Sequence, residues 1–236
     1  MADSKTVFAY IGIGCIVIVG LMAIAAGACG VWVYSETQRF EAEASDPEAR
    51  GARVLSVLGA DSLPDGYYPM VAFSIPFVME TALLTDEVPT EEAEEANFGE
   101  RGFIYLKMLR FGQDEQELRD YFEGRTDNAD VLSDNGININ VDEVIRRGTM
   151  QQAGAELMYV VQRGRVSMGR RGRDRGDGLA SMSLIECPDD SRLRIGIWFA
   201  PDPDPEADAE TLDLSGTPGD AAAMAEFYGH FSLCGE

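Results

Sequence analysis

A run of 28 residues without a charged side chain, residues 7–34, constrains this chain more than any other feature. A helix of that length reaches about 42 Å, whereas about 20 apolar residues are enough to cross the core of a bilayer. Aromatic side chains lie near both ends, Phe8 and Tyr10 at the start and Trp32 and Tyr34 at the end, where the two interfaces would be. The sequence therefore predicts a single-pass transmembrane helix over residues 7–34.

Two alternatives to an uncleaved anchor remain open for this segment: a cleaved signal peptide and a lipoprotein signal. A cleaved signal peptide has a shorter apolar core of about 7–15 residues. A lipoprotein turns polar after its modified cysteine, whereas Cys29 is followed by Gly30-Val31-Trp32. Both comparisons favour an uncleaved signal anchor. Because Lys5 precedes the run and acidic residues surround Arg39 after it, the positive-inside rule favours a short cytoplasmic tail over residues 1–6 and an extracytoplasmic, periplasmic C-terminal domain.

Small residues recur at a four-residue spacing within the apolar run. Ala23 with Gly27, and Ala26 with Gly30, have the small-xxx-small pattern that lets two helices approach closely. A segment so rich in glycine and alanine also produces this spacing by chance. The pattern is therefore compatible with a homodimer and does not require one.

The charge of the chain limits its partners. There are 19 basic and 41 acidic residues, a net charge of −22, and only Lys5 and Asp3 are charged before the end of the apolar run. The acidic excess therefore lies in the C-terminal part, whose surface repels nucleic acid. About 200 residues suit one domain. We expect a juxtamembrane linker with a short helix over residues 35–60 and an acidic domain over residues 61–236.

The pattern after residue 61 is mainly that of strands. Leu193, Ile195, Ile197 and Phe199 alternate with other residues, which predicts that they share one face of a strand. The turn residues Asp189-Asp190-Ser191 predict a hairpin between the last two strands. Strands are expected at 70–85 with an interruption at Pro76, and at 103–111, 141–149, 155–168, 179–187 and 192–200.

Helical patterns are fewer. Residues 114–124 predict a helix that stops at Gly124. A final helix is expected to begin with Thr217 as N-cap, Pro218 in its first position and Asp220 completing a capping box. Its apolar stripe, expected to pack on a sheet, consists of Met224, Phe227, Tyr228 and Phe231. Residues 86–100 and 201–215 are expected to be loops, and residues 125–140 are rich in turn-forming residues. This order predicts an α+β fold, an antiparallel sheet with helices packed on one face.

A short segment carries a resemblance to a known family. Leu63-Pro64-Asp65-Gly66-Tyr67 after a short helix resembles the start of uncharacterised membrane-anchored bacterial domains. The strands running through Ile75-Pro76, with a terminal helix, are similar to the PsbP-like fold over about residues 61–236. Members of that family often carry a tryptophan shortly after the proline, where this chain has Phe77. The resemblance implies a non-enzymatic accessory or assembly protein and does not name its partner. We expect a protein of the bacterial cell membrane that binds a protein partner and uses no cofactor.

Two of the four cysteines, Cys187 and Cys234, lie in the C-terminal domain. In an oxidising compartment we expect them to form a disulfide, whereas in a reducing one they would be buried free thiols. Closing that loop would contribute about 4 kcal/mol in the chain-entropy model. Cys15 and Cys29 fall within the apolar run.

Residues suited to catalysis or metal binding are scarce. The single histidine, His230, lies four residues before Cys234, and two ligands do not make a metal site. Acidic residues alternate over 202–210, without the spacing of an EF-hand. We therefore assign no catalytic residue and no metal ligand. A weak calcium site and a hydrolase with an unrecognised site remain alternatives.

Six arginines and a single acid, Asp174, occupy residues 163–175, a basic island in an acidic domain. We expect a loop between two strands that binds an anion or an acidic partner. The alternative is that the domain's own acidic loops neutralise it. No aromatic residue interleaves the arginines, which argues against stacking of single-stranded nucleic acid. The candidate binding residues are Arg163, Arg165, Arg170, Arg171, Arg173 and Arg175.

Overall fold

The computed structural model of the chain describes residues 46–75, 77–89, 99–109, 114–134, 139–166, 178–188 and 190–235. The helices are α1 (Pro47–Leu58), α2 (Asp114–Phe122), α3 (Asp130–Asp134) and α4 (Ala221–Tyr228). The strands are β1 (Tyr68–Ile75), β2 (Met79–Thr85), β3 (Gly102–Met108), β4 (Ile139–Gln152), β5 (Ala155–Val166), β6 (Gly178–Glu186) and β7 (Leu193–Pro201).

The seven strands form one sheet in the order β1-β2-β3-β7-β6-β5-β4, and all neighbours are antiparallel. Two meanders, β1 to β3 and β4 to β7, meet where β3 pairs with β7, from Gly102↔Phe199 to Met108↔Leu193. The predicted strands are therefore confirmed, and the α+β class with an antiparallel sheet is confirmed with them. The segment expected at 70–85 is a tight hairpin, with β1 and β2 on either side of Pro76.

Helices cover both faces of the sheet. In β7 every residue from Leu193 to Phe199 is buried, so both faces of the central strands are covered. α1 and α4 pack on the face that carries Phe103 and Trp198, called the first face here. α2 and α3 pack on the second face, which carries Ile195 and the other alternating residues of β7. The prediction that the helices lie on one face was wrong.

Helix α4 begins later than its sequence signals indicate. Asp220 is the N-cap, and its carboxylate accepts a hydrogen bond from the Ala222 amide at 3.0 Å. Thr217 instead turns the chain before the helix, because its hydroxyl donates to the Leu214 carbonyl at 2.7 Å and accepts from the Gly219 amide at 3.1 Å. The cap expected at Thr217 was therefore wrong. The predicted apolar stripe is confirmed, since its four residues are all buried in the core of the first face.

Helix α1 belongs to the same packed unit as the sheet, Pro47–Glu236. Val54 and Leu58 of α1 are buried in the core of the first face. The Ser232 amide donates a hydrogen bond to the Gly59 carbonyl at 3.1 Å, which joins the end of α1 to the segment after α4. The short helix expected in the linker is thus a structural element of the domain.

Several predictions fall on residues outside the description. The transmembrane helix at 7–34, the cytoplasmic tail at 1–6 and the small-residue pairs of the apolar run all lie there. Within the described residues, no helix has the length and apolar character needed to cross a bilayer. Localisation in a bacterial cell membrane stays a prediction.

Candidate functional site

Arg163, the first of the predicted binding arginines, is engaged by the domain itself. Its Nε donates to Asp202 Oδ2 at 2.6 Å, its Nη1 to Glu143 Oε2 at 3.1 Å and its Nη2 to the Asp204 carbonyl at 2.9 Å. The Asp202 side chain is 0% exposed. The guanidinium therefore fastens the loop after β7 to β5 and β4. This arrangement agrees with neutralisation by the domain's own acids for this arginine.

The remaining predicted arginines fall largely outside the description. Arg165 lies in β5 opposite Asn140, and its side chain is not among the described atoms. Because β5 ends at Val166 and β6 begins at Gly178, the segment between them joins two paired strands. Binding of an anion or a partner there stays a prediction for the four arginines of that segment: Arg170, Arg171, Arg173 and Arg175.

The predicted cysteine pair is confirmed. Cys187 and Cys234 form a disulfide, with their Cα atoms 5.5 Å apart. The bond ties the turn after β6 to the segment after α4, beside the core of the first face. Cys234 is therefore not available to a metal, and the neighbouring His230 is exposed. Within the described ranges no three His, Cys, Asp or Glu residues come together as metal ligands.

A polar cluster that the sequence did not reveal crosses three neighbouring strands. Glu80 of β2 pairs with Lys107 of β3, and Lys107 in turn with Arg194 of β7. Arg194 lies on the first face, since Leu193 and Ile195 on either side of it belong to the second. Lys107 Nζ is 2.8 Å from Glu80 Oε2. The backbone register thus places two cations side by side on one face of the sheet.

The turn between β6 and β7 completes this cluster. Asp190 Oδ2 lies 2.5 Å from Nη2 of Arg192 and 2.5 Å from Nη2 of Arg194. Hydrogen bonds from Arg192 first, and from Arg194 as well, hold the pKa of Asp190 well below its usual range. We call Glu80, Lys107, Asp190, Arg192 and Arg194 the Arg194 cluster. It contains three cations and two anions, although the chain as a whole is strongly acidic.

The Arg194 side chain is only 1% exposed, and its hydrogen bonding is incomplete. Its Nη2 donates to Asp190, while its Nε and Nη1 have no hydrogen-bond partner among the described residues. Tyr105 lies beside it on the same face. Burial raises the pKa of Tyr105 to about 12, and the charge of Arg194 and a hydrogen bond with its side chain oppose part of that rise. The Tyr105 hydroxyl is therefore protonated at neutral pH.

An apolar tip lies at the same end of the sheet. Phe77, in the turn between β1 and β2, is 93% exposed and has a φ of 65°. Val78 and Leu109 beside it are also exposed, and the Leu109 amide donates to the Val78 carbonyl at 3.0 Å. We call Phe77, Val78 and Leu109 the apolar tip. In the sequence, only the Pro76-Phe77 step within a strand pattern indicated this feature. By sequence alone, Phe77 is only a difference from the PsbP-like pattern.

This end of the sheet therefore combines an exposed apolar surface with buried, incompletely bonded N–H donors, which suits binding. No protein-family model matches the chain, and no curated protein is similar to it in sequence. The resemblance to the PsbP-like fold stays a prediction.

Proposed function

We propose that this chain is a non-catalytic, membrane-anchored interaction protein of the bacterial cell envelope. Residues 7–34 anchor it, and the acidic α+β domain binds a protein partner outside the cytoplasm. The apolar tip is the contact surface in this proposal.

The observation that carries the proposal is the backbone conformation of Phe77. The left-handed region of backbone conformation costs a non-glycine residue about 1–2 kcal/mol of stability, whereas glycine occupies it without this penalty. Within the domain, an aromatic ring that is 93% exposed gains almost no burial to offset that loss. Contact with an outside surface would supply the missing burial, about 1.5–3 kcal/mol for a phenylalanine. Strain held at an exposed aromatic residue therefore supports a binding role.

The proposed compartment has separate support. The Cys187–Cys234 disulfide is of the kind that persists in oxidising compartments. The uncharged run at 7–34 has the length of a membrane anchor. Neither feature depends on the apolar tip, so the proposed location and the proposed contact surface are tested separately.

Site-specific photo-crosslinking in intact membranes tests the contact surface. A photo-reactive phenylalanine analogue replaces Phe77 in the full chain, and crosslinked proteins are identified by mass spectrometry. The matched control carries the same analogue at Val88, which is 63% exposed and follows the opposite end of β2. We expect one recurring protein to be linked from position 77 and not from position 88.

Two results would contradict the proposal. Equal crosslinking from positions 77 and 88 would mean that the apolar tip is not a specific contact surface. Products made only of two copies of this chain would replace the partner protein with a homodimer. In either case the apolar tip loses its role as a surface for a different protein.

The two alternative functions stay predictions. An anion-binding or small-ligand-binding domain would use the arginines of residues 163–175, and the contacts of Arg163 favour a structural role for that one residue. Replacing Arg170, Arg171 and Arg173 by alanine should abolish ligand binding if that alternative holds. A hydrolase with an unrecognised site would show activity on ester, peptide or glycoside substrates.

A further inference from the structure

We propose that the Arg194 cluster is a binding site for an oxyanion, a carboxylate or a phosphate, held by Arg194 and Arg192. This site is independent of the apolar tip, and it does not involve the arginine-rich residues 163–175.

The first argument is the unfinished hydrogen bonding of Arg194. A guanidinium carries five N–H donors and is always charged, so it rarely lies buried without acceptors. At 1% exposure, water does not reach Nε or Nη1 from the surface, and no described residue accepts from them. A buried charged donor without an acceptor costs more than a neutral one. An additional acceptor in this place would therefore remove a substantial penalty.

The second argument is the balance of charge. Lys107 and Arg194 are directly paired across β3 and β7, and like charges in that arrangement repel. Glu80 forms a salt bridge with Lys107, and Asp190 forms salt bridges with both Arg192 and Arg194. Among the described residues of the cluster, three cations therefore face two carboxylates. A single anionic ligand would complete the pairing.

The chemistry of the donors selects an oxyanion. Guanidinium N–H groups form a planar fork that fits the oxygens of carboxylates and phosphates, and a spherical ion such as chloride uses that geometry less well. Tyr105 adds a neutral hydroxyl on the same face, beside Arg194. Asp190 already shows how one carboxylate oxygen sits against the Arg194 guanidinium.

The turn between β6 and β7 provides the path from solvent. Arg192 is 40% exposed at its side chain, and Pro188 and Ser191 in the same turn are exposed. Asp190 and Arg192 connect this exposed turn to the buried guanidinium. A ligand would therefore first meet Arg192, which shares Asp190 with the buried Arg194.

Isothermal titration calorimetry of the full chain in a non-ionic detergent tests the site. Inorganic phosphate and acetate are titrated separately at a constant ionic strength maintained with chloride. We expect saturable binding of at least one of them. Binding of phosphate alone assigns a phosphate group as the source of the ligand, and binding of acetate assigns a carboxylate.

Three variants identify the residues involved. Arg192→Gln and Arg194→Lys should each weaken binding about 10- to 100-fold, the effect of losing a hydrogen bond to a charged group. Asp190→Asn should tighten it, because the resident carboxylate no longer competes for the same donors. Arg146→Gln, an exposed residue of β4 that carries the same charge change, should bind as the wild type does.

Arg192→Gln keeps the test decisive if Arg194→Lys does not fold, because Arg192 is partly exposed and circular dichroism can verify its fold. Absence of saturable heat from both anions with the wild type would overturn the proposal. Equal dissociation constants for the wild type and Arg192→Gln would overturn it as well.

Discussion

Loss of the Cys187–Cys234 disulfide should lower the free energy of unfolding of the domain by about 4 kcal/mol in the chain-entropy model, because the bond closes a loop with a sequence separation of 47. We expect the native contacts around the bond to persist without it, because Leu233 is buried and the Ser232 amide donates to the Gly59 carbonyl at 3.1 Å. A domain stabilised by about 5–15 kcal/mol would therefore remain folded after reduction, with a much smaller margin.

Urea denaturation of residues 47–236, with and without a reductant, measures this loss. With a slope of about 2 to 3 kcal/mol per molar urea, the midpoint should fall by about 1.3 to 2 M. A chain with serine at both Cys187 and Cys234 should unfold at the reduced midpoint and should not respond to the reductant. A midpoint that moves by less than about 0.4 M would refute the reasoning, since the loop would then contribute under about 1 kcal/mol.

Three further predictions concern single residues, each measured by urea denaturation of the same segment. Gly196→Ala should destabilise the domain by about 1–3 kcal/mol, because a Cβ there would lie 2.5 Å from the buried Tyr228 hydroxyl. The control Gly51→Ala, in α1, should be neutral or stabilising, because its Cβ would meet only an ordinary contact with the Pro69 side chain at 3.8 Å. Phe77→Gly should stabilise the domain by about 0.5–1 kcal/mol, because glycine adopts a positive φ without strain. The variant should also lose the contact with the partner protein. Destabilisation would instead mean that the Phe77 ring packs within the domain. Asp190→Asn should cost about 1.5–3 kcal/mol at pH 6, because the depressed pKa of Asp190 stabilises the folded state. That stabilisation is fully present above the unfolded pKa of about 3.9 and is lost progressively as the pH falls below it, so the difference from the wild type should shrink below about pH 4; a difference of the same size at pH 3 would contradict this.

The strands and the disulfide could be predicted from the sequence because their signals are local or few. Alternating apolar residues in β7 specify a strand by themselves, and two cysteines in the domain allow only one pairing within it. The coverage of both faces was harder to predict. It depends on α2 and α3 crossing to the second face, and the short α3 lies in a segment whose composition indicates turns.

The Arg194 cluster could not be predicted from its residues. Glu80, Lys107 and Arg194 are far apart in the chain, and only the pairing of β2, β3 and β7 brings them together. The sequence instead drew attention to the dense arginines of residues 163–175, since density is visible without a fold. A high density of arginines does not by itself indicate a binding site. Arg163 is an example, because it already donates hydrogen bonds to three acceptors that are distant in sequence.

The place of β3 in the sheet also determines how the chain is made. β3 ends at Met108, but its second neighbour begins only at Leu193, after three other strands have been synthesised. During that interval β3 presents an unpaired edge with apolar residues on both sides, which is the kind of edge that pairs with other chains. A chain that stalls on the ribosome before β7 therefore leaves an aggregation-prone fragment. The hazard ends only when β7 is free to pair with β3.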